Sequence, residues 1–242
     1  GGSFADLTFG GGGHSRAILE ANSKNNLLAM DCDPDAKDRS ESFVSEFDDR
    51  FNFCDSSFRD LDQFSSAGEF DGILMDLGIS SFQLMEPGKG FSFRLDAPID
   101  MRLDPRFGLS ASEFLETASY ESLVRAVREY GEERRWRRVV EAIIQARGTG
   151  LLSRTMSAAE LVSNAVGGRN FRQRIHPATK TFQGIRIAIN GELEALAVTL
   201  PKAFRGLKEG GVLAVISFHS LEDRIVKRFM RKMAGRPESK YD

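Results

Sequence analysis

The 242-residue sequence predicts an α/β fold, a doubly wound parallel sheet carrying an inserted helical segment. Three observations point there. Short apolar runs ending in an acid or a glycine alternate with helix-period stretches through the first half of the chain. One of these runs opens into four consecutive glycines, Gly10 to Gly13, followed by a helix start. No strand-like run then occurs between Phe82 and His176, after which the alternation resumes.

The first strand is Phe4 to Leu7. It passes into the glycines, then His14 and Ser15, and Ala17, Ile18 and Leu19 open a helix. Glycines permit positive φ and let a ligand approach without meeting a Cβ. The helix start adds free N–H groups and a partial positive charge, which suit a nucleotide-like ligand with an anionic group. Leu27 to Asp31 reads as a second strand, and Pro34 suits the first turn of a helix running to about Phe47. Phe51 to Cys54 is a third strand, and Gly72 to Leu77 a fourth, closed by Gly78. Asp6, Asp31, Asp55 and Asp76 fall at or just after these strand ends, where ligands of open α/β sheets sit.

From Gly78 to Leu109 the chain is irregular and rich in glycine, proline and phenylalanine (Phe82, Phe91, Phe93). A loop this long in a compact domain is functional or disordered, and the aromatics argue for function or for plugging a core. From Ala111 the period is helical. Trp136, Val139, Val140, Ile143 and Ile144 form an apolar stripe flanked by Arg134, Arg135, Arg137 and Arg138. Those arginines either pair with Glu132, Glu133 and Glu141, at a few tenths of a kcal/mol per pair, or face a polyanion. A further helix around Leu161, Val162, Ala165 and Val166 ends at Gly167-Gly168. Phe182, Ile185, Ile189, Leu193 and Leu196 mark one long helix, and Gly210-Gly211 ends the next segment. Val212 to Ser217 is expected to be a buried fifth strand. Phe218 to Arg224 crosses its carboxyl end, and a basic helix runs to about Lys232. The resulting division is 1–106 with 176–242 for the sheet domain and 107–175 for the helical insertion.

Composition is that of an ordinary globular protein, 41% hydrophobic and 28% charged. No apolar run nears the ~20 residues of a membrane span, and no signal peptide is visible. Two cysteines, Cys32 and Cys54, point to a reducing, cytoplasmic compartment; they fall short of a zinc site, and no metal ligands are assigned. The net charge of −2 hides an asymmetry: residues 1–100 carry 8 basic and 19 acidic residues, residues 121–180 carry 12 basic and 6 acidic. A small-ligand region followed by a polyanion-facing region would look like this, as would two solvated faces.

The glycine stretch only partly matches Gly-x-Gly-x-x-Gly, so a nicotinamide dinucleotide is weakly supported, and the Gly-Lys-Ser/Thr of a P-loop is missing. S-adenosylmethionine asks for less: a glycine turn, an acid on the next strand for the ribose hydroxyls, and a wall for adenine. Asp31 is placed for the ribose and Asp55 or Phe58 for the adenine, while the acidic first half favours a sulfonium.

Several stretches carry a closer resemblance: Thr8-Phe-Gly-Gly-Gly-Gly-His-Ser15, Asp31-Cys-Asp-Pro34, Phe70 to Ser81, Arg94 to Asp104, Tyr130-Gly-Glu-Glu133, Ile175 to Gln183 and Ile216 to Arg224. With these the chain resembles the bacterial cytosine-N4 methyltransferases of small-subunit (16S) ribosomal RNA, the MraW/RsmH family. The resemblance implies a Rossmann-like S-adenosylmethionine-dependent methyltransferase sheet domain with an inserted α-helical domain for substrate recognition. It implies cofactor contacts at Gly12, Gly13, His14, Asp31, Phe58, Asp76 and Gln83. It also implies action on the decoding (P-site) region, with ribosomal RNA in the assembled 30S subunit as partner, no membrane, and a homodimer as an open option. Met85 departs from the family, which has an acid after Gln-Leu; a leading segment and tail strands are also missing from this sequence.

Asp76, or a backbone carbonyl in Leu77 to Ser80, is the candidate acceptor for a proton of the cytosine amine. The Pro-Pro-Tyr/Phe of DNA amino-methyltransferases is replaced here by Leu-Gly-Ile-Ser-Ser. Ser80 and Ser81 border the target base, Phe91 or Phe93 could stack on it, and Arg94, Arg134 and Arg138 could hold phosphates. His176, Lys180 and His219 join the same mouth by the family pattern. The alternatives are an amino-methyltransferase on DNA or a small molecule, a non-catalytic RNA-binding assembly factor and, more distantly, a dehydrogenase.

Overall fold

The computed structural model describes residues 1–167 and 175–236. In chain order the principal elements are β1 (Ser3–Asp6), α1 (Gly13–Ala21), β2 (Asn26–Asp31), α2 (Pro34–Phe47), β3 (Phe51–Asp55), α3 (Leu61–Phe64), β4 (Phe70–Asp76), α4 (Ser81–Met85), α5 (Ala111–Thr117), α6 (Tyr120–Val124), α7 (Trp136–Ala146), α8 (Thr155–Ala165), α9 (Thr179–Asn190), α10 (Glu192–Gly206), β5 (Leu207–Ile216) and α11 (Ser220–Met233). They form two compact units, a sheet unit of Gly1–Ser80 with Leu193–Asp242 and a helical unit of Ser81–Glu192. The helical unit therefore takes in 81–106 and 176–192 besides the 107–175 of the expected insertion.

The sheet is wholly parallel, in the order β3-β2-β1-β4-β5. β1 pairs with β2 on one side and β4 on the other, so the strand order reverses beside it, where such sheets bind ligands. Leu27, Leu28, Ala29 and Met30 are all buried, as a strand covered on both faces requires. One face packs Leu7, Met30, Ile73 and Met75 under Leu196 and Leu200 of α10; the other packs Phe9, Leu27 and Phe51 under Leu19 of α1 and Phe43 and Phe47 of α2. The start of α2 follows its sequence signals: Pro34 opens it and Asp33 caps it, accepting from the Asp35 N–H.

Three sequence expectations need correcting here. The apolar run Val212 to Ser217 suggested a strand buried on both faces. Instead β5 is an edge strand, and its residues alternate: Leu213 and Val215 pack on the core, while Val212 is 63% exposed and Ile216 is exposed with it. An apolar run alone cannot tell a central strand from an edge strand with one face uncovered. Gly210-Gly211 does not end a segment but lies within β5, where the pairing with β4 shifts register. The single helix through Phe182 and Leu196 is two, α9 and α10. Gly191 takes φ +58 between them, a left-handed conformation that glycine adopts without penalty.

In the helical unit, Val139, Val140 and Ile143 of the α7 stripe are buried, but Ile144 is exposed and Trp136 lies between two guanidinium groups, Arg128 and Arg137. Before α7 the backbone forms a π-helix, Arg125–Tyr130, packed against α9. Gly131 and Gly184 make that approach possible: a Cβ on Gly184 would collide with the Ala126 carbonyl, and one on Gly131 would stand 2.6 Å from the Lys180 carbonyl. The irregular stretch is pinned to the helices. Thr155 Oγ1 accepts from the Ala97 N–H and donates to the Leu95 carbonyl, and Asn190 bonds both the Leu103 N–H and the Met101 carbonyl. These bonds explain why 81–106 belongs to the helical unit. Gly167 follows α8 at φ +93; Gly168, the other half of the expected helix stop, lies outside the described residues.

Candidate active site

β1, β2, β3 and β4 each end in an aspartate: Asp6, Asp31, Asp55 and Asp76. Four parallel strands thus bring four carboxylates to one edge. Asp6 is fully buried. Ser15 Oγ donates to its Oδ2 at 2.7 Å and the Thr8 N–H to its Oδ1 at 3.1 Å, so it ties both ends of the glycine turn together. Burial pushes its carboxyl above the usual range, only partly offset by these bonds. Thr8 Oγ1 in turn accepts from the Asp76 N–H at 2.7 Å, linking the turn to β4.

Asp31 holds the turn from the other side. Its Oδ2 accepts from the Gly10 N–H at 2.7 Å and its Oδ1 from the Asp33 N–H at 2.9 Å. A carboxylate has about four lone-pair sites, so each oxygen retains capacity for a hydroxyl donor. Burial raises this carboxyl as well. Arg39 Nε donates to the Gly10 carbonyl at 2.9 Å, a brace that the helix pattern of α2 did not single out. Gly10 and Gly12 have positive φ, +53 and +78. A Cβ on Gly12 would collide with Phe43 and stand 2.9 Å from Phe9, so this glycine lets α2 close on the turn. Gly13 is different: a Cβ there would meet nothing within 4 Å. It is the first residue of α1, and the open space in front of it is bordered by the helix's unsatisfied N–H groups.

Asp76 is the least satisfied of the four acids. Its Oδ2 lies 3.4 Å from His14 Nε2, and its Oδ1 is buried with no hydrogen-bond partner among the described residues. A buried acceptor without a donor is costly and is best explained by a group that arrives later. Ser80 lies against the turn, 3.4 Å from where a Gly10 Cβ would be. Phe58 stands in a single helical turn after β3, half-buried on the sheet core, its carbonyl accepting from Thr199 Oγ1. His219 caps α11: its Nδ1 accepts from the Glu222 N–H, and its Nε2 faces Glu222 Oε1 at 3.2 Å. Its Nδ1 is thereby committed to its own helix, while the buried Nε2 has no hydrogen-bond partner among the described residues.

Gln83, Ser81, Phe91, Phe93, Arg94, Arg134, Arg138, His176 and Lys180 all belong to the helical unit. Gln83 is buried there, and Ser81 and Arg94 are exposed. Phe91 is only 8% exposed and offers no face to a base, which removes it as a stacking candidate; it plugs the core. Phe93 packs against His176 (centroids 4.6 Å apart) and Phe182 (5.0 Å). It lines a cavity of about 600 Å³ with Asp96, Arg154, Ser163, Asn164 and His176. His176 Nδ1 accepts from the Ala178 N–H, and Lys180 Nζ donates to the Glu132 carbonyl at 3.2 Å. Arg134, Arg135, Arg137 and Arg138 together line a second hollow of about 280 Å³. Arg135 donates to the Val166 carbonyl and Arg137 stacks on Trp136. Among the described residues no ion pair joins any of the four to Glu132, Glu133 or Glu141; the Glu133 carboxylate instead accepts from the Arg135 backbone N–H. The cluster is an unneutralised cationic surface at the start of α7.

A glycine turn braced by the buried Asp6 and the partly buried Asp31, open at Gly13 and beside an unsatisfied carboxylate, fits a cationic nucleoside ligand. In comparison with known proteins, the MraW methylase family matches residues 1–239. The chain belongs to this family. Ribosomal RNA small subunit methyltransferase H of Thermomicrobium roseum is 47% identical over 239 residues, covering 97% of this chain and 73% of that protein. The enzyme of the same name from a Cyanothece species is 49% identical over 231 residues, covering 96% and 76%. A solved rRNA methylase from Streptococcus thermophilus overlaps partially, with 16% identity, a TM-score of 0.28 and coverage of 31% of this chain and 45% of that one. As an MraW-family member the chain is a methyltransferase, and no helix among its described residues is long and apolar enough to cross a membrane. Thr8 and Arg39 are the parts of this candidate site that sequence reasoning missed. Both act through single hydrogen bonds, and neither bond has a periodic or compositional signal.

Proposed function

We propose that the protein transfers a methyl group from S-adenosylmethionine to the exocyclic N4 amine of a cytosine in small-subunit ribosomal RNA, in the decoding region, within the cytoplasm. The observation that carries this reading is Asp76, whose buried Oδ1 lacks a donor at the carboxyl end of β4, beside the glycine turn. Family membership and the names of the relatives support the reaction class and the RNA. The open space at Gly13 and the remaining acceptor capacity of Asp31 support the cofactor.

S-adenosylmethionine, when bound, supplies an electrophilic methyl on a sulfonium. Gly12, Gly13 and His14 would border its methionine part and Asp31 its ribose hydroxyls, with Phe58 beside the adenine. Everything else falls to the chain. The cytosine amine is a weak nucleophile because its lone pair is delocalised into the ring. Asp76 accepts an N–H proton as that nitrogen pyramidalises and takes up the methyl, which frees the lone pair and offsets the developing positive charge. Fixing the amine in line with the methyl lowers the barrier further. The arginines at the start of α7 would hold the RNA backbone, leaving base selection to other groups.

The test is labelled-methyl transfer to assembled 30S subunits, naked ribosomal RNA and duplex DNA. Label in the RNA and none in DNA is expected. Label in DNA alone would move the protein to another nucleic acid. A protein that binds RNA but not S-adenosylmethionine would be an assembly factor.

A further inference from the structure

The sheet unit carries an aromatic side chain that neither the cofactor nor the arginine cluster uses. Phe218, two residues beyond β5, is 70% exposed at the carboxyl edge of the sheet, where the acids gather. A single exposed phenyl ring is ordinary by itself; what sets this one apart is its place at the carboxyl edge of the sheet, beside the end of β4. We propose that Phe218 is the stacking platform for the target base, an inference that rests on the cytosine-amine reading above.

Three observations carry it. First, the ring lies beside the turn that follows β4, the strand that ends in Asp76. Its Cδ2 lies 3.5 Å from where a Cβ on Gly78 would stand, and Gly78 is two residues after Asp76. Gly78 has φ +93 and no side chain, which leaves the space beside the ring clear. Second, the ring's backbone is fixed. Leu77 N–H donates to the Ile216 carbonyl at 3.0 Å, which closes the β4–β5 end. The Phe218 N–H donates to Oε2 of the buried Glu222 at 3.0 Å, and Glu222 is held in turn by His219. The capping role of His219 thus has a purpose: it steadies the ledge that carries the ring. Third, the phenylalanines nominated by sequence are engaged elsewhere, Phe91 in the core of the helical unit and Phe93 with His176 and Phe182.

A phenyl group offers a π face and no hydrogen bond. It therefore orients a flipped base of any sequence, and the edge contacts are left to choose cytosine. With the base face on Phe218, the exocyclic amine can point along the sheet edge toward Asp76.

The experiment compares F218A, F218L and F218W in the full chain, reading S-adenosylmethionine affinity, melting temperature, turnover on 30S subunits, and the position of the methyl by nucleoside analysis. F218A should keep cofactor affinity and fold while losing about ten- to a hundredfold in turnover. F218W should recover most of the loss, and F218L, apolar but without a π face, should not. Undiminished F218A turnover, or F218L as active as F218W, overturns the platform. If the wild-type methyl is found anywhere other than N4 of cytosine, the underlying reading fails and takes this inference with it.

Discussion

His14 Nε2 and Asp76 Oδ2 stand 3.4 Å apart, so the first turn of α1 and the last residue of β4 meet at the carboxyl edge of the sheet. The pairing occupies one carboxylate oxygen and leaves the other buried and without a donor. Replacing Asp76 by alanine should therefore lower turnover by on the order of 10²–10³-fold, with S-adenosylmethionine affinity changed only a few-fold. Steady-state methyl transfer alongside calorimetric cofactor binding checks this. Undiminished turnover would remove Asp76 from catalysis.

Gly12 and Gly13 make a paired test of the cradle. A methyl on Gly12 would collide with Phe43 at a positive φ, so G12A should cost about 2–4 kcal/mol of folding stability. A methyl on Gly13 would enter open space, so G13A should fold normally yet bind S-adenosylmethionine more weakly. Denaturant midpoints and titration calorimetry separate the two. Wild-type cofactor affinity in G13A would mean that the cofactor lies elsewhere.

Asp31 makes a prediction about pH. Burial raises its carboxyl above the ordinary value of about 3.9. An acid whose folded pKa lies above its unfolded one stays protonated longer in the folded state. Its ionisation then detracts from stability as pH climbs from the ordinary value through the raised one, and below that window the penalty is absent. D31N removes the titration, so the stability of D31N relative to wild type should rise across the window. Cofactor affinity should run the other way, falling as pH drops through the raised value because a protonated carboxyl accepts hydroxyls less well. Melting and calorimetry from pH 4 to 8 would show both trends, and a flat difference between D31N and wild type would contradict the assignment.

The four arginines at the start of α7 lack ion-pair partners among the described residues and surround one hollow. Changing Arg134, Arg135 and Arg138 to glutamine should weaken RNA binding and reduce the log–log salt slope by about 2. Filter binding at several salt concentrations is sufficient. An unchanged slope would make the cluster an ordinary solvated face.

Strands β1 to β4 and their terminal aspartates are legible in the sequence because each is a short apolar run stopped by an acid or a glycine. The glycine turn is legible for the same local reason. Legibility ends where the answer depends on what a residue packs against. Val212 and Leu213 look alike in sequence, but only one faces a helix. Gly191 sits inside an apolar helical stripe, and only its φ of +58 divides α9 from α10. The π-helix at Arg125–Tyr130 has the composition of any helix; its mark is the distant Gly131–Gly184 approach. Phe91 and Phe218 are both phenylalanines in loops, one in a core and one in water. The resemblance carried the reading further than periodicity could, while the aromatic composition of the irregular stretch nominated the buried ring as well as Phe93.

The most direct measurement is nucleoside mass spectrometry of 30S ribosomal RNA incubated with the protein and S-adenosylmethionine carrying a labelled methyl, with D76A as control. One labelled N4-methylcytidine in the decoding region, lost with D76A, is the predicted result. Label on a ring carbon, a ribose or a purine, or N4-methylcytidine formed equally well by D76A, would contradict it.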